Sequence, residues 1–296
     1  MQSLLHTFLE LGDAVSRNLA FAHSNHGKLI YGEETITETN LLEILRKHAN
    51  RGTHLTAISK GKEAKSGADW EWVVVGKRYS FFMRVQAKRT NRFNKLKIKH
   101  SVGQWPNAKQ QIDILIANCA ASFPGDVTWR PLYCFYSKNS ERVRWKSVDP
   151  DASNRIYQYG CLIADANRVK GKVSIKTIKD VEDISVPWHI FFAPARFKGR
   201  YAILEVMPDA SGTVALFAQA IFASAADDKP DDDVVSSDFP TVEQLNGDDP
   251  VDESTPGLRE TNSEEIERVK TRSRVVGVDA PRFLILDVTE EPRRSR

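Results

Sequence analysis

Asp69, Gln86 and Lys88 are the residues whose types and spacing most directly suggest chemistry. They lie in "GADWEWVVVGKRYSFFMRVQAKR" (67–89), two apolar runs joined by a short turn. With Lys77 and Arg78 at the tip, paired residue numbers sum to 155, so Asp69 opposes Gln86 and Glu71 opposes Arg84. Strand side chains alternate faces with a period of two. Asp69, Glu71, Arg84, Gln86 and Lys88 then share one face, and Trp70, Trp72, Val74, Met83 and Val85 take the other. A one-residue slip in the turn would exchange the two sets. Charged groups shielded from water cost free energy unless they are paired or hold an ion. A carboxylate and an amide oxygen suit a hard cation such as Mg²⁺ or Mn²⁺. Such an ion polarises a phosphoryl oxygen and lowers the pKa of a bound water. Lys88 would orient that water and offset developing negative charge. The plain alternative is a solvated sheet face carrying a Glu71–Arg84 surface pair worth about 0–1 kcal/mol.

A third acid is expected from "EETITETNLLEILRKHA" (33–49), which reads as a helix. Projected at about 100° per residue, Ile36, Leu41, Leu42, Ile44 and Leu45 average close to the direction of Glu34, with Glu33 at the edge of that face. Glu34 is therefore expected to join Asp69 and Gln86 around the ion. The competing reading is an acid favoured at that end by the helix dipole. Directly after Lys88 comes "RTNRFNKLKIKH". From Lys60 to Lys99 there are 12 basic residues and 3 acids. Arg89, Arg92, Lys95, Lys97 and Lys99, interleaved with Phe93 and asparagines, suit a phosphate backbone. A solvated, charged loop is the alternative.

The elements that must position these groups follow from periodicity. Residues 1–22 read as an amphipathic helix through Leu4, Leu5, Phe8, Leu11, Val15 and Leu19. The helix at 33–49 follows, then a short strand at 54–59 and the hairpin strands near 69–76 and 79–88. A mostly buried helix is expected at 107–122, halted by Pro124 and Gly125. "PLYCFYS" (131–137) reads as an interior strand, and "YGCLIAD" (159–165) as another. Residues 200–207 and 213–224 read as a strand and then a helix. Up to Ser137 the order is helix, strand, strand, strand, helix, strand: an α/β fold with a mixed sheet.

The 296 residues carry a formal charge of +3, unevenly divided. Residues 227–296 hold 19 acidic and 10 basic residues; residues 1–226 hold 20 and 32. A basic body predicts a polyanionic partner. The division predicts an α/β domain over 1–226 and an acidic, mostly disordered tail over 227–296, with a candidate short strand at 281–288. That tail is a candidate site for a protein partner. No run of 18 apolar residues is present, so no membrane span is expected. The N-terminus lacks a basic region and a cleavage site. Cys119, Cys134 and Cys161 are widely spaced, so buried thiols and a reducing cytoplasm are expected. His23 and His26 read as loop histidines, and Trp188 of "PWH" as packing. Neither a Walker-type loop nor GxSxG occurs, so nucleotide-driven and serine-hydrolase chemistry is unsupported.

"GAD" followed by "QAK" in a hairpin, after a helix bearing "EE", resembles the restriction-endonuclease-like PD-(D/E)xK superfamily, whose core order is α-β-β-β-α-β. The set "EETIT", "GADWEW", "VQAKR" and "QIDILI" resembles an uncharacterised bacterial family of that kind, over roughly residues 30–165. The resemblance implies that Asp69 is the motif aspartate, Gln86 holds the (D/E) position, Lys88 is the motif lysine and Glu34 the helix acid. Gln110 or Gln111 would match a glutamine on the following helix, with Glu71 as nearby support. Ala68 stands where the pattern has proline, and Gln86 removes one negative ligand. The implied activity is Mg²⁺- or Mn²⁺-dependent phosphodiester hydrolysis in DNA. By analogy alone, this suits bacterial defence or mobile elements. The runner-up is a non-catalytic nucleic-acid-binding protein on the same fold.

Overall fold

The computed structural model describes residues 4–24, 30–49, 54–56, 67–76, 79–102, 108–120, 129–138, 159–192, 245–246, 257–264, 266–267 and 282–288. The expected elements at 200–207 and 213–224 lie outside them, as do Lys77, Arg78 and His26. Two helices open the chain, α1 (Leu4–Ala22) and α2 (Glu33–His48). Strands β1 (His54–Thr56), β2 (Trp70–Val75) and β3 (Tyr79–Arg89) follow. A small ladder pairs β4 (Ser101–Val102) with β5 (Lys109–Gln110), and helix α3 (Gln111–Ala120) continues from it. Next come β6 (Arg130–Tyr136), β7 (Cys161–Asp165), helix α4 (Ala166–Gly171) and β8 (Ser185–Pro187). Finally, β9 (Leu258–Glu260) and β10 (Arg282–Asp287) return from the C-terminal part.

The result is an α/β architecture around one mixed sheet, ordered β1-β10-β2-β3-β6-β7-β8, with β9 beside the start of β3. The hairpin register matches the sequence expectation: Trp70 pairs with Val85, Glu71 with Arg84 and Trp72 with Met83. Gly76 N–H donates to Tyr79 O at 2.9 Å and closes the turn. β6 runs parallel to β3, with Gln86 beside Tyr133 and Lys88 beside Phe135.

The period-two pattern sorts the two layers. Trp70, Trp72, Val74, Met83 and Val85 are buried in the main core with residues of α1 and α2. Phe8 of α1 stacks on Trp72 at 5.2 Å between ring centroids. It also meets Trp188 edge-on at 4.7 Å, and the Trp188 indole N–H donates to Phe8 O at 2.7 Å. Trp188 is thus packing, as its sequence context suggests. The opposite sheet face meets α3, where Arg84 Nη1 donates to Asn118 O at 2.6 Å.

The candidate strand at 281–288 is present as β10 (Arg282–Asp287), and it joins the main sheet. β10 lies between β1 and β2, antiparallel to the first and parallel to the second. Leu284, Ile285, Leu286 and Val288 are buried. The run "FLILDV" is apolar enough to occupy an interior strand, covered on both faces. This strand therefore belongs to the same sheet as the hairpin. Cys119, Cys134 and Cys161 are buried free thiols. Among the described residues, no helix is long and apolar enough to cross a membrane.

Candidate active site

The hairpin brings Asp69 to the mouth of the sheet. Its N–H donates to Val85 O at 2.8 Å, extending the ladder one step beyond β2. Two residues earlier, Gly67 adopts φ +72. A Cβ there would stand 2.7 Å from the Leu115 amide nitrogen and 3.0 Å from Gln111 O. Only glycine accommodates both the left-handed backbone and this close approach. The chain therefore enters β2 pressed against the first turns of α3, which fixes where Asp69 begins.

Asp69 and Gln86 meet as the register requires. Gln86 Nε2 donates to Asp69 Oδ2 at 2.6 Å, and Ala87 N–H donates to the same oxygen at 2.5 Å. Gln86 is 1% exposed. Its Oε1 is buried with no hydrogen-bond partner. Beside it, the Tyr133 hydroxyl is also buried and unpartnered. Burial, then the Asp69 and Asp113 carboxylates, push the Tyr133 phenol well above its ordinary range, so it stays protonated.

Lys88 is buried, and its Nζ lies 3.8 Å from Glu33 Oε2. Glu33 Oε1 accepts from Arg89 N–H at 3.1 Å. The helix acid near Lys88 is therefore Glu33, and Glu34 is exposed on α2. This corrects the sequence projection, for an identifiable reason. The buried face of α2 consists of Ile36, Thr37, Asn40, Leu41, Ile44 and His48, whereas Leu42 is 60% exposed. At about 100° per residue that face centres about 20° from Glu33 and about 80° from Glu34. Thr37 stays on it by donating to Glu33 O at 2.9 Å and meeting the Tyr136 hydroxyl at 3.0 Å. Hydrophobicity gave no signal for Thr37, Asn40 or His48. Glu33 also sits in the first turn, where the helix dipole favours an acid.

The supporting residues separate clearly. Glu71 accepts from Arg84 Nε at 2.7 Å, and Arg84 lies over the Trp129 ring at 4.8 Å. Both side chains are largely covered, so this is an anchor between sheet and α3 and neither a solvated pair nor part of the site. Breaking such a covered pair by removing one partner costs about 3–5 kcal/mol. Gln110 donates to Ser101 Oγ at 2.8 Å within the small ladder. Gln111, the first residue of α3, lies beside Gly67 and has a buried, unpartnered Oε1.

Arg89 differs from its expected role. It follows Lys88, so it faces the helix side, where its Nη1 lies 3.3 Å from His23 Nε2. Burial, then Lys138 and Arg89, push His23 down to about 4. His23 is therefore neutral and accepts from the guanidinium. Arg92, Lys95, Lys97 and Lys99 are all exposed, as a backbone-binding role requires. Lys176, which sequence reading did not connect to them, is exposed beside this strip, its carbonyl accepting from Leu96 N–H at 2.7 Å.

A family described as a family of unknown function (DUF6615) matches residues 4–287. The chain belongs to this family. The match spans both the hairpin and β10, so Asp69, Lys88 and the C-terminal strand fall within one family unit. No curated protein matches the chain.

Among the described residues, no three His, Cys, Asp or Glu side chains group as a metal site. The donor set here includes an amide in place of a third acid. Gln86 Oε1 is buried and orphaned while Gln86 Nε2 faces the Asp69 carboxylate; turning the amide over would set an oxygen beside that carboxylate, a donor pair that fits a hard, oxygen-seeking cation.

Proposed function

We propose that the protein is a nuclease that hydrolyses phosphodiester bonds in DNA with Mg²⁺ or Mn²⁺, on a restriction-endonuclease-like core. One observation carries the reading: Asp69 is hydrogen-bonded to Gln86 across the hairpin, and Lys88 follows on the same face within reach of Glu33. Asp69 and Gln86 Oε1 would hold the ion. When bound, the ion supplies charge neutralisation at the phosphoryl group and a more acidic water. Lys88 offsets negative charge that develops on the phosphoryl oxygens. Glu33 holds the Lys88 ammonium in place and balances its charge. The exposed lysines supply ground-state attraction for the backbone.

A second reading, a nucleic-acid-binding protein without cleavage, draws on the Gln86 amide itself. In its present orientation it offers NH₂ to Asp69, so the carboxylate is satisfied without an ion.

A nicking assay on supercoiled plasmid, paired with a binding titration, separates the two. Lys88→Ala and Asp69→Ala should each lower metal-dependent nicking by roughly 100-fold or more, with little loss of binding. Glu33→Gln should weaken nicking, and Glu34→Gln should leave it unchanged. Changing Lys95, Lys97 and Lys99 together to alanine should instead weaken binding and flatten its salt dependence. Nicking by Lys88→Ala at the wild-type rate would overturn the nuclease reading.

A further inference from the structure

We propose that residues 91–99 form a platform for single-stranded nucleic acid, with Phe93 as the base-stacking surface and Lys95, Lys97 and Lys99 as a ladder for its phosphates. The proposal rests on the nucleic-acid reading above and names the form of the substrate.

Phe93 is 65% exposed, although it stands in a turn pinned from several sides. Asn91 Oδ1 accepts from Phe93 N–H at 2.9 Å and from Lys95 N–H at 3.0 Å. Asn91 N–H donates to Lys95 O, and Asn94 N–H donates to Asn91 O, both at 2.9 Å. Asn94 takes φ 58, a left-handed conformation that asparagine tolerates. Lys138 Nζ donates to Arg92 O at 2.9 Å from the neighbouring strand end. A turn held this firmly could have folded its aromatic inward, yet it presents the ring to solvent. The Arg92 guanidinium lies 4.7 Å from the Phe93 ring centroid, so a cation accompanies the exposed π-face.

Beyond the turn the chain alternates. Leu96 is buried and Ile98 packs against the core, whereas Lys95, Lys97 and Lys99 are exposed. Alternation thus sets Lys95, Lys97 and Lys99 on the solvent side of one short segment. Lys95 bridges to Thr177, and exposed Lys176 adds to the same surface. On that neighbouring strip the Asp180 carboxylate is taken up by its own turn. Its Oδ2 accepts from Lys176 N–H, Thr177 N–H and Thr177 Oγ1. The surface is thus cationic with an aromatic at one end, and the aromatic stands five residues after Lys88.

Duplex DNA offers phosphates to such a surface but keeps its bases stacked within. An exposed phenyl ring contributes only to bases that are unstacked, and base–aromatic stacking tolerates any sequence. A polyanion with accessible base faces matches both halves of the surface. An acidic protein segment would use the lysines and leave Phe93 without a role.

The test measures fluorescence anisotropy of the full chain in EDTA, against a labelled thymidine homopolymer and a duplex of equal length. Wild type should bind the single strand more tightly. Phe93→Ala should weaken single-strand binding by about 5- to 100-fold and leave duplex binding unchanged. Phe93→Trp should retain the affinity, which guards against a folding artefact. The triple lysine variant should weaken both ligands. Equal affinity for the two ligands, or single-strand binding by Phe93→Ala at the wild-type level, would overturn the platform. Because metal is absent, the result stands apart from cleavage. A wild-type protein that prefers the single strand but does not nick plasmid with Mg²⁺ or Mn²⁺ would overturn only the nuclease reading.

Discussion

The Gln86 amide donates to Asp69 and leaves its own oxygen buried without a partner. An acid in its place would make a different object. The Gln86→Glu variant sets two carboxylates against each other where one hydrogen bond stood. Like charges at such range force one carboxyl to take up a proton. Holding that proton at neutral pH, or forgoing the bond where it is not held, destabilises the fold; forgoing the bond at a buried position costs roughly 1–3 kcal/mol. Mg²⁺ or Mn²⁺ would reverse that penalty by joining both carboxylates to one cation. Thermal unfolding in EDTA should therefore place the variant below wild type, and added metal should raise it by more than it raises wild type. A variant whose melting temperature ignores metal would mean that Asp69 and residue 86 do not form an ion site.

At the scale of elements, the hairpin was legible because two local rules sufficed. Strand alternation and a two-residue turn fix which side chains are opposed, and Asp69–Gln86 and Glu71–Arg84 follow. The rotation of α2 was not legible, because its buried face is half polar. Thr37, Asn40 and His48 are buried there, and His48 Nε2 meets Thr7 Oγ1 of α1 at 2.9 Å. Those burials reflect tertiary partners that periodicity does not report. The layer over α1 holds a comparable surprise. His189 lies in the 3₁₀ turn Trp188–Phe192, fully buried, with neither ring nitrogen hydrogen-bonded. Burial pushes it down to about 3 from an ordinary 6.5. The unfolded chain takes up the proton first as pH falls, so His189 makes stability rise with pH between about 3 and 6.5. From pH 7 to pH 5 this single group should remove about 2 kcal/mol. Urea unfolding at the two pH values should find His189→Leu less acid-sensitive than wild type by that amount. Equal sensitivity would mean that the imidazole is not held neutral in the fold.

For the whole molecule, the decisive connection runs from the C-terminal segment to the candidate site. β10 pairs with β2 from Arg282 beside Trp70 to Asp287 beside Val75, so its first residue adjoins the strand end where Asp69 sits. No local pattern in the sequence reveals this, because the partner strands lie about 200 residues apart and parallel pairing leaves no turn signature. The composition of 227–296 pointed toward disorder, while one short apolar run within it reaches the sheet interior. Removing that run would leave β2, with six buried residues from Trp70 to Val75, as an apolar edge and deprive β1 of its only partner strand among the described residues. An exposed, apolar edge of this kind templates association with other chains. Truncation after Ala226 should therefore give aggregated protein with no cooperative unfolding, whereas truncation after Val288 should unfold as the full chain does. Leu284→Ala and Leu286→Ala, at positions 1% and 0% exposed, should each cost about 2–5 kcal/mol. Size-exclusion chromatography and urea unfolding read all four. A monomeric, cooperatively unfolding 1–226 fragment would mean that β10 is not needed for the sheet. Should that fragment also nick plasmid, Asp69 would be held in place by the hairpin and α3 alone.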